Sequence, residues 1–237
     1  MFELLGGAGP PSDYGRSPLN AVATLAKQAR KLNCAAVHAR RRDGTRLPAL
    51  IMITDSKRLK DPRAAMRRLP RGSIVILRDY ERADRETLAR RLLRTCRRRG
   101  LLLLVAGSGE LAARVRADGV HFPEGLARRA QAWRVRRPAW LITVAAHSLA
   151  AIRRARRFGA DAALLSPAFP TESHPGAPSL GILRFSRLAH SDGLPVYALG
   201  GVTTDTARRL TGSGATGIAA IGVFTAPLPN QAEIREN

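Results

Sequence analysis

A chain of 237 residues, 45% of them hydrophobic, has enough apolar mass for one sizeable core, and with only two cysteines it is not a disulfide scaffold. Its formal net charge of +22 rests on arginine, since four of the 40 basic residues are lysine. Those arginines alternate with alanine and leucine, and aromatic residues make up 5% of the chain, so they read as solvated helix faces and argue against a nucleic-acid partner, which would need a stacking platform.

In chain order, residues 1–15 are rich in Gly and Pro and predict no regular element. Residues 18–38 carry Leu19, Val22, Leu25, Ala26, Ala29 and Leu32 at helical spacing, with Lys27, Arg30 and Lys31 on the opposite side. This is a lead-in helix, placed to close the bottom of a barrel built from the later strands. Apolar runs predict those strands at Ala49–Thr54, Ser73–Arg78, Leu101–Ala106, Gly119–Phe122, Leu141–Ala146, Ala162–Ser166, Val196–Gly200 and Gly217–Gly222. Helical patterns fill the gaps. The clearest are 84–98, with Leu88, Leu92 and Cys96 on one face, and 203–212, with Thr204 and Asp205 near its start. Runs such as Leu101–Val105 are apolar at every position, as strands covered on both faces must be. The fold class is α/β: a single (β/α)8 TIM barrel over 48–237, preceded by an N-terminal extension and an extra helix over 1–47.

Cys34 and Cys96 lack metal-ligand spacing and fit a reducing compartment. Met1–Tyr14 lacks a signal-peptide pattern, and no apolar run approaches the ~20 residues needed to span a bilayer, so a cytoplasmic protein with no membrane partner is expected.

In such a barrel the active site lies at the C-terminal strand ends, with phosphate often held after the last two strands. Three consecutive strand ends here suit an anion. The sixth opens into Ser166-Pro167-Ala168-Phe169-Pro170-Thr171-Glu172-Ser173-His174, offering the hydroxyls of Thr171 and Ser173 and the imidazole of His174. The seventh and eighth end in Gly200-Gly201 and Ile221-Gly222, where bare backbone N–H groups are open to phosphate. Other glycine patterns fail: Gly107-Ser108-Gly109 lacks the third glycine of a dinucleotide fingerprint, and there is no Gly-Lys-Thr phosphate loop.

The same residues carry a resemblance. Ser166 to His174, Pro195-Val196-Tyr197-Ala198-Leu199-Gly200-Gly201-Val202 and Gly214-Ala215-Thr216-Gly217-Ile218-Ala219 match, in order and spacing, the signature of the thiamin phosphate synthase family and its relative, the thiazole tautomerase. It extends back through Ala160-Asp161, Ala146-His147-Ser148, Ala117-Asp118-Gly119-Val120-His121 and Ile53-Thr54-Asp55, covering about residues 48–224. The resemblance implies phosphorylated small-molecule substrates and condensation of a pyrimidine diphosphate with a thiazole phosphate, releasing pyrophosphate. It also implies magnesium (Mg2+), basic residues and hydroxyls around the diphosphate. The chain departs from the pattern there. Of the second-strand Gln-x-Arg-x-Lys only Arg78 remains, and the two metal-binding aspartates fall at Gly107 and Leu126. No metal ligand is therefore assigned, and the carboxylates left as substitutes are Asp55, Asp79, Glu110, Glu124 and Glu172.

The resemblance makes Arg78 and His147 the catalytic candidates. In a tautomerase, which needs neither metal nor diphosphate site, a histidine at the position of His147 moves a proton, and imidazole titrates near neutrality. His121 reads as an inward-facing, hydrogen-bonded barrel residue. Three functions stay open: a synthase with a remodelled diphosphate site, a metal-free tautomerase, and a non-catalytic binder of thiamin phosphate.

Overall fold

The apolar runs become strands because each is covered on both sides. In the computed structural model, which describes residues 18–171 and 178–225, they are β1 (Leu50–Ile53), β2 (Ile74–Leu77), β3 (Leu102–Ala106), β4 (Gly119–Phe122), β5 (Leu141–Ala146), β6 (Ala162–Leu165), β7 (Val196–Ala198) and β8 (Gly217–Ala220). All pair in parallel, in sequence order, and β1 closes on β8 with Leu50 opposite Ile218. This is a (β/α)8 barrel of the α/β class.

Strand alternation sorts the apolar residues into two cores. Ile51, Ile53, Ile74, Ile76, Leu104, Leu164 and Tyr197 fill the barrel. Met52, Val75, Leu77, Leu103, Val105, Val120 and Phe122 face outward and pack under the helices. Leu47 joins the inner cluster, and the buried Tyr197 hydroxyl donates to the carbonyl of Pro48, so the segment before β1 closes the N-terminal end.

The helices are α1 (Pro18–Ala35), α2 (Pro62–Met66), α3 (Arg85–Arg99), α4 (Gly109–Val115), α5 (Arg129–Arg136), α6 (Leu149–Arg157), α7 (Gly181–His190) and α8 (Thr204–Arg208). Side-chain caps start several of them. Ser108 accepts from the N–H of Leu111 (3.1 Å) and Ser148 from that of Ala151 (3.2 Å), each satisfying a donor the helix leaves open. Arg90, Arg91, Arg94, Arg97 and Arg98 of α3 are exposed, while Ala89, Leu92, Thr95 and Cys96 are buried.

The lead-in helix does not lie beneath the barrel. Val22, Leu25, Ala26, Ala29 and Leu32 of α1 join the outer core against β8, β1, α8 and the 3-10 turn Gly222–Phe224. Near its C-terminal end, Asn33 Nδ2 donates to the carbonyls of Leu47 (3.0 Å) and Thr216 (2.9 Å). α1 thus runs the height of the barrel and covers the outer face of β8. Its amphipathic stripe required a partner, and β8 supplies it.

Two of the family-like motifs serve the fold. Asp118, ahead of β4, accepts from the N–H of Leu103 (2.8 Å) and pairs with Arg97 (2.8 Å). Asp161, ahead of β6, accepts from the N–H of Ile142 (2.8 Å) and pairs with Arg134 (2.6 Å). Both pin strand starts at the end of the barrel away from the candidate site. Among the described residues, no helix is long and apolar enough to cross a membrane.

Candidate active site

The C-terminal rim of the barrel presents three groups of residues. The first lies at the ends of β6, β7 and β8. After Ser166 the chain passes a cis peptide bond to Pro167 and folds back on the end of β7, where Ala168 N donates to Leu199 O (2.8 Å) and Phe169 N to Gly200 O (3.0 Å). Gly200 and Gly201 have φ of +89° and +63°. A Cβ on Gly201 would run into the carbonyl of Pro170, and one on Gly200 would lie 2.9 Å from Pro167 Cα. Glycine is therefore required here by the close approach of the sixth loop, whatever binds. Gly222 differs: it is exposed, and a Cβ there would meet nothing within 4 Å. The N–H groups of Gly201 and Gly222 have no acceptor among the described residues. Thr206 Oγ1 donates to Gly201 O (2.8 Å) and accepts from Thr203 N (2.8 Å), fixing the turn from the capping box of α8. Thr171 is half-buried beside this cup, and Ile221 turns its side chain into the barrel core.

The second group lies at the ends of β1, β2 and β3. Asp55 Oδ2 accepts from Arg58 Nε and Nη2 (3.0 and 2.9 Å) and from Arg78 Nη2 (2.7 Å). Burial opposes the Asp55 charge. The Arg58 hydrogen bonds, the two guanidinium charges and the Lys57 N–H outweigh it and hold the carboxyl below its usual range. The Arg78 charge reaches further, to His121 inside β4. Burial, reinforced by Arg78, pushes that imidazole down to about 4, so it is neutral at pH 7, with Nδ1 2.9 Å from Thr143 Oγ1. The inward-facing, hydrogen-bonded role expected of His121 holds. The Tyr80 ring covers Gly107, 2.9 Å from where a Cβ would stand. Behind it the Arg85 guanidinium stacks 5.3 Å from the ring centroid and donates to the carbonyl of Ala106. Burial raises the Tyr80 phenol above its usual value against the pull of Arg78 and Arg85, which keeps it a hydrogen-bond donor at neutral pH.

The third group joins β4, β5 and β6. His147 Nδ1 lies 2.7 Å from the carbonyl oxygen of Ser166. A carbonyl only accepts, so the proton sits on Nδ1 and Nε2 carries the lone pair in neutral imidazole. His147 N donates to Glu124 Oε2 (3.1 Å), while Glu124 Oε1 pairs with Arg154 (2.6 Å). His147 is exposed, at one end of an outer groove of about 710 Å³ that Arg128, Arg154 and Phe158 also line.

Arg78, His147, Thr171, Gly200, Gly201, Ile221 and Gly222 thus all follow the C-terminal strand ends, with Arg78 tied to Asp55 and His147 exposed. Ser173, His174 and Glu172 lie outside the described residues. The described residues do not fit a magnesium ion. Tyr80 fills the space over Gly107, and Leu126 packs against the outer core. Asp55 is held by two arginines, Asp79 by the Thr54 hydroxyl and Ser56 N, Glu110 by Ser108, and Glu124 by Arg154. No three His, Cys, Asp or Glu side chains are grouped among the described residues. Arg58 and Arg85 escaped the sequence reading. Arg58 had a signal, standing three residues after Asp55, whereas Arg85 blends into the arginine-rich face of α3.

A family model described as thiamine monophosphate synthase matches residues 50–224. Thiamine-phosphate synthase of Geobacillus thermodenitrificans is 35% identical over 158 residues, covering 64% of this chain and 70% of that protein. The thiamine-phosphate synthase of Thioalkalivibrio sulfidiphilus is 32% identical over 200 residues, covering 81% of this chain and 94% of its own. Among solved structures, thiamine phosphate pyrophosphorylase from Pyrococcus furiosus superposes with a TM-score of 0.63 at 26% identity, over 76% of this chain and 88% of that one. With its glycine-edged strand ends in the matching order, the chain belongs to the thiamine monophosphate synthase family.

Proposed function

We propose that the chain acts in thiamin biosynthesis as a thiamin phosphate synthase, a transferase that joins hydroxymethylpyrimidine diphosphate to thiazole phosphate and releases pyrophosphate. The observation that carries this reading is the cup at the ends of β6, β7 and β8, where the N–H groups of Gly201 and Gly222 have no acceptor among the described residues. In this reading the thiazole phosphate rests on the N–H groups of Gly201 and Gly222. Gly200 shapes the turn, Thr171 adds a polar contact and Ile221 forms an apolar wall. Ser173 and His174 are further candidates for the same phosphate.

In the reaction the thiazole nitrogen lone pair forms a bond to the pyrimidine methylene carbon. The bond from that carbon to the diphosphate oxygen breaks, and the leaving group takes the electron pair. In this reading Arg78, held by Asp55, stabilises that developing negative charge. Magnesium is common in the family, but the described side chains do not fit it, so no step is routed through a metal. A tautomerase is the second reading, supported by the fixed tautomer of His147, whose Nε2 is available as a base.

Thermal melting with millimolar thiamin phosphate tests the cup, because a ligand that binds only the folded state raises Tm by mass action. Absence of a shift sinks the reading. Separate assays of thiamin phosphate formation and thiazole isomerisation then decide between synthase and tautomerase. Activity in neither assay, with thiamin phosphate still binding, leaves the binding protein.

A further inference from the structure

The corner at the ends of β1, β2 and β3 holds donors that the phosphate cup does not use. Two guanidiniums, Arg58 and Arg78, share the single carboxylate of Asp55, so the trio keeps a net positive charge. Their side chains are 31% and 39% exposed, and Arg58 Nη1 and Arg78 Nε and Nη1 have no acceptor among the described residues. Tyr80 adds a neutral phenol, wedged between Gly107 and Arg85. The neighbouring carboxylate of Asp79 is occupied by Thr54 and Ser56. The volume in which a side chain at 107 would stand is filled by an aromatic ring backed by a guanidinium. The corner is closed to a hydrated cation and is itself cationic.

We propose that this corner binds a diphosphate group directly, through the guanidinium N–H groups of Arg58 and Arg78 and the hydroxyl of Tyr80, without a divalent ion. Asp55 acts as a positioning residue that holds the two guanidiniums side by side. The planar N–H forks suit phosphate oxygens. The inference deepens the synthase reading, which supplies the source of the diphosphate, but its chemistry is separate from the monophosphate cup.

The test uses the full chain and inorganic pyrophosphate, by calorimetry and thermal melting, once in EDTA and once in magnesium. Pyrophosphate is expected to bind and raise Tm in EDTA at least as well as in magnesium. Arg58→Ala and Tyr80→Phe should each weaken it by roughly 10- to 100-fold, the range for losing a hydrogen bond to a charged group. Should Arg58→Ala melt far below the parent chain, Arg58→Gln supplies the same readout. Binding that requires magnesium, or that is unchanged in Arg58→Ala and Tyr80→Phe, overturns the proposal. Pyrophosphate binding in EDTA without any thiamin phosphate shift would overturn the cup and keep this corner, and the reverse result would do the opposite.

Discussion

Replacing Gly222 by valine tests the phosphate cup with little disturbance of the barrel. No atom lies within 4 Å of a Cβ at this position, and its φ is outside the left-handed region. The stability change should stay within about 0.5 kcal/mol, as at an exposed site with no special backbone geometry. A phosphate oxygen approaching the Gly222 N–H would meet the new methyl groups. Losing a hydrogen bond to a charged group costs about 1.5–3 kcal/mol, or a roughly 10- to 100-fold weaker thiamin phosphate complex. Gly201→Val is the contrast. Its φ of +63° costs about 1–2 kcal/mol for a residue with a Cβ, and displacing the Phe169 and Pro170 carbonyls adds about 1–3 kcal/mol. At roughly 2–4 °C per kcal/mol for a domain of this size, Gly201→Val should melt about 4–20 °C lower before any ligand is added. The assay is Tm against thiamin phosphate concentration, where 100-fold saturation is worth about 2.7 kcal/mol, or roughly 5–11 °C. A Gly222→Val protein that melts and binds thiamin phosphate like the parent would refute the placement of Gly222 in the cup.

Three further outcomes are expected. His121 sits at about 4 in the folded chain against 6.5 unfolded, so the unfolded state takes up a proton first as pH falls. Its contribution, roughly 3 kcal/mol at most, is complete above pH 6.5, declines between 6.5 and 4 and is absent below 4. Urea unfolding at pH 7.5 and 5 should show a smaller pH effect in His121→Asn, and an identical slope would contradict this origin. Arg134→Ala strands Asp161, whose side chain is 1% exposed, and should cost about 3–5 kcal/mol in urea titration, with Asp161→Asn in the same background recovering part of it; a loss below about 1 kcal/mol counts against a buried pair. For the reaction, a synthase should lose more from Arg78→Ala than from His147→Asn, whereas a tautomerase should lose ~10²–10⁴ in rate from His147→Asn. Small, equal losses in both assays would remove both enzyme readings.

All eight strands were legible because runs apolar at nearly every position, His121 and Thr143 apart, leave no exposed face to confuse with a helix. Strand ends were less so. Val196 to Gly200 reads as one strand, yet β7 stops at Ala198, because Leu199 and Gly200 give their carbonyls to Ala168 and Phe169 of the preceding loop. The pattern at 203–212 shortens to Thr204–Arg208, since the chain leaves the helix for turns that reach φ of +75° at Gly212 and +79° at Gly214. The glycines proposed to face phosphate could be named from the sequence, but not the structural reason for each. Gly201 answers first to the sixth loop, and Gly222 answers to no neighbour. The pairing of Asp55 with Arg58 and Arg78, and the seating of Tyr80 over Gly107, depend on how three strand ends converge. Local periodicity carries no record of that.

The placement of α1 on β8 bears on how the chain is made. Asn33 waits for Thr216 and Gln28 for Thr211, partners separated by 183 residues each. At ~5–20 residues per second, a ribosome takes roughly 10–40 s to deliver β8 after α1 has emerged. Throughout that interval Val22, Leu25, Ala29 and Leu32 have no finished surface to cover. Docking of α1, whose contacts span more of the chain than the closure of β1 on β8, therefore comes late in synthesis. Until then the apolar stripe of α1 stays uncovered.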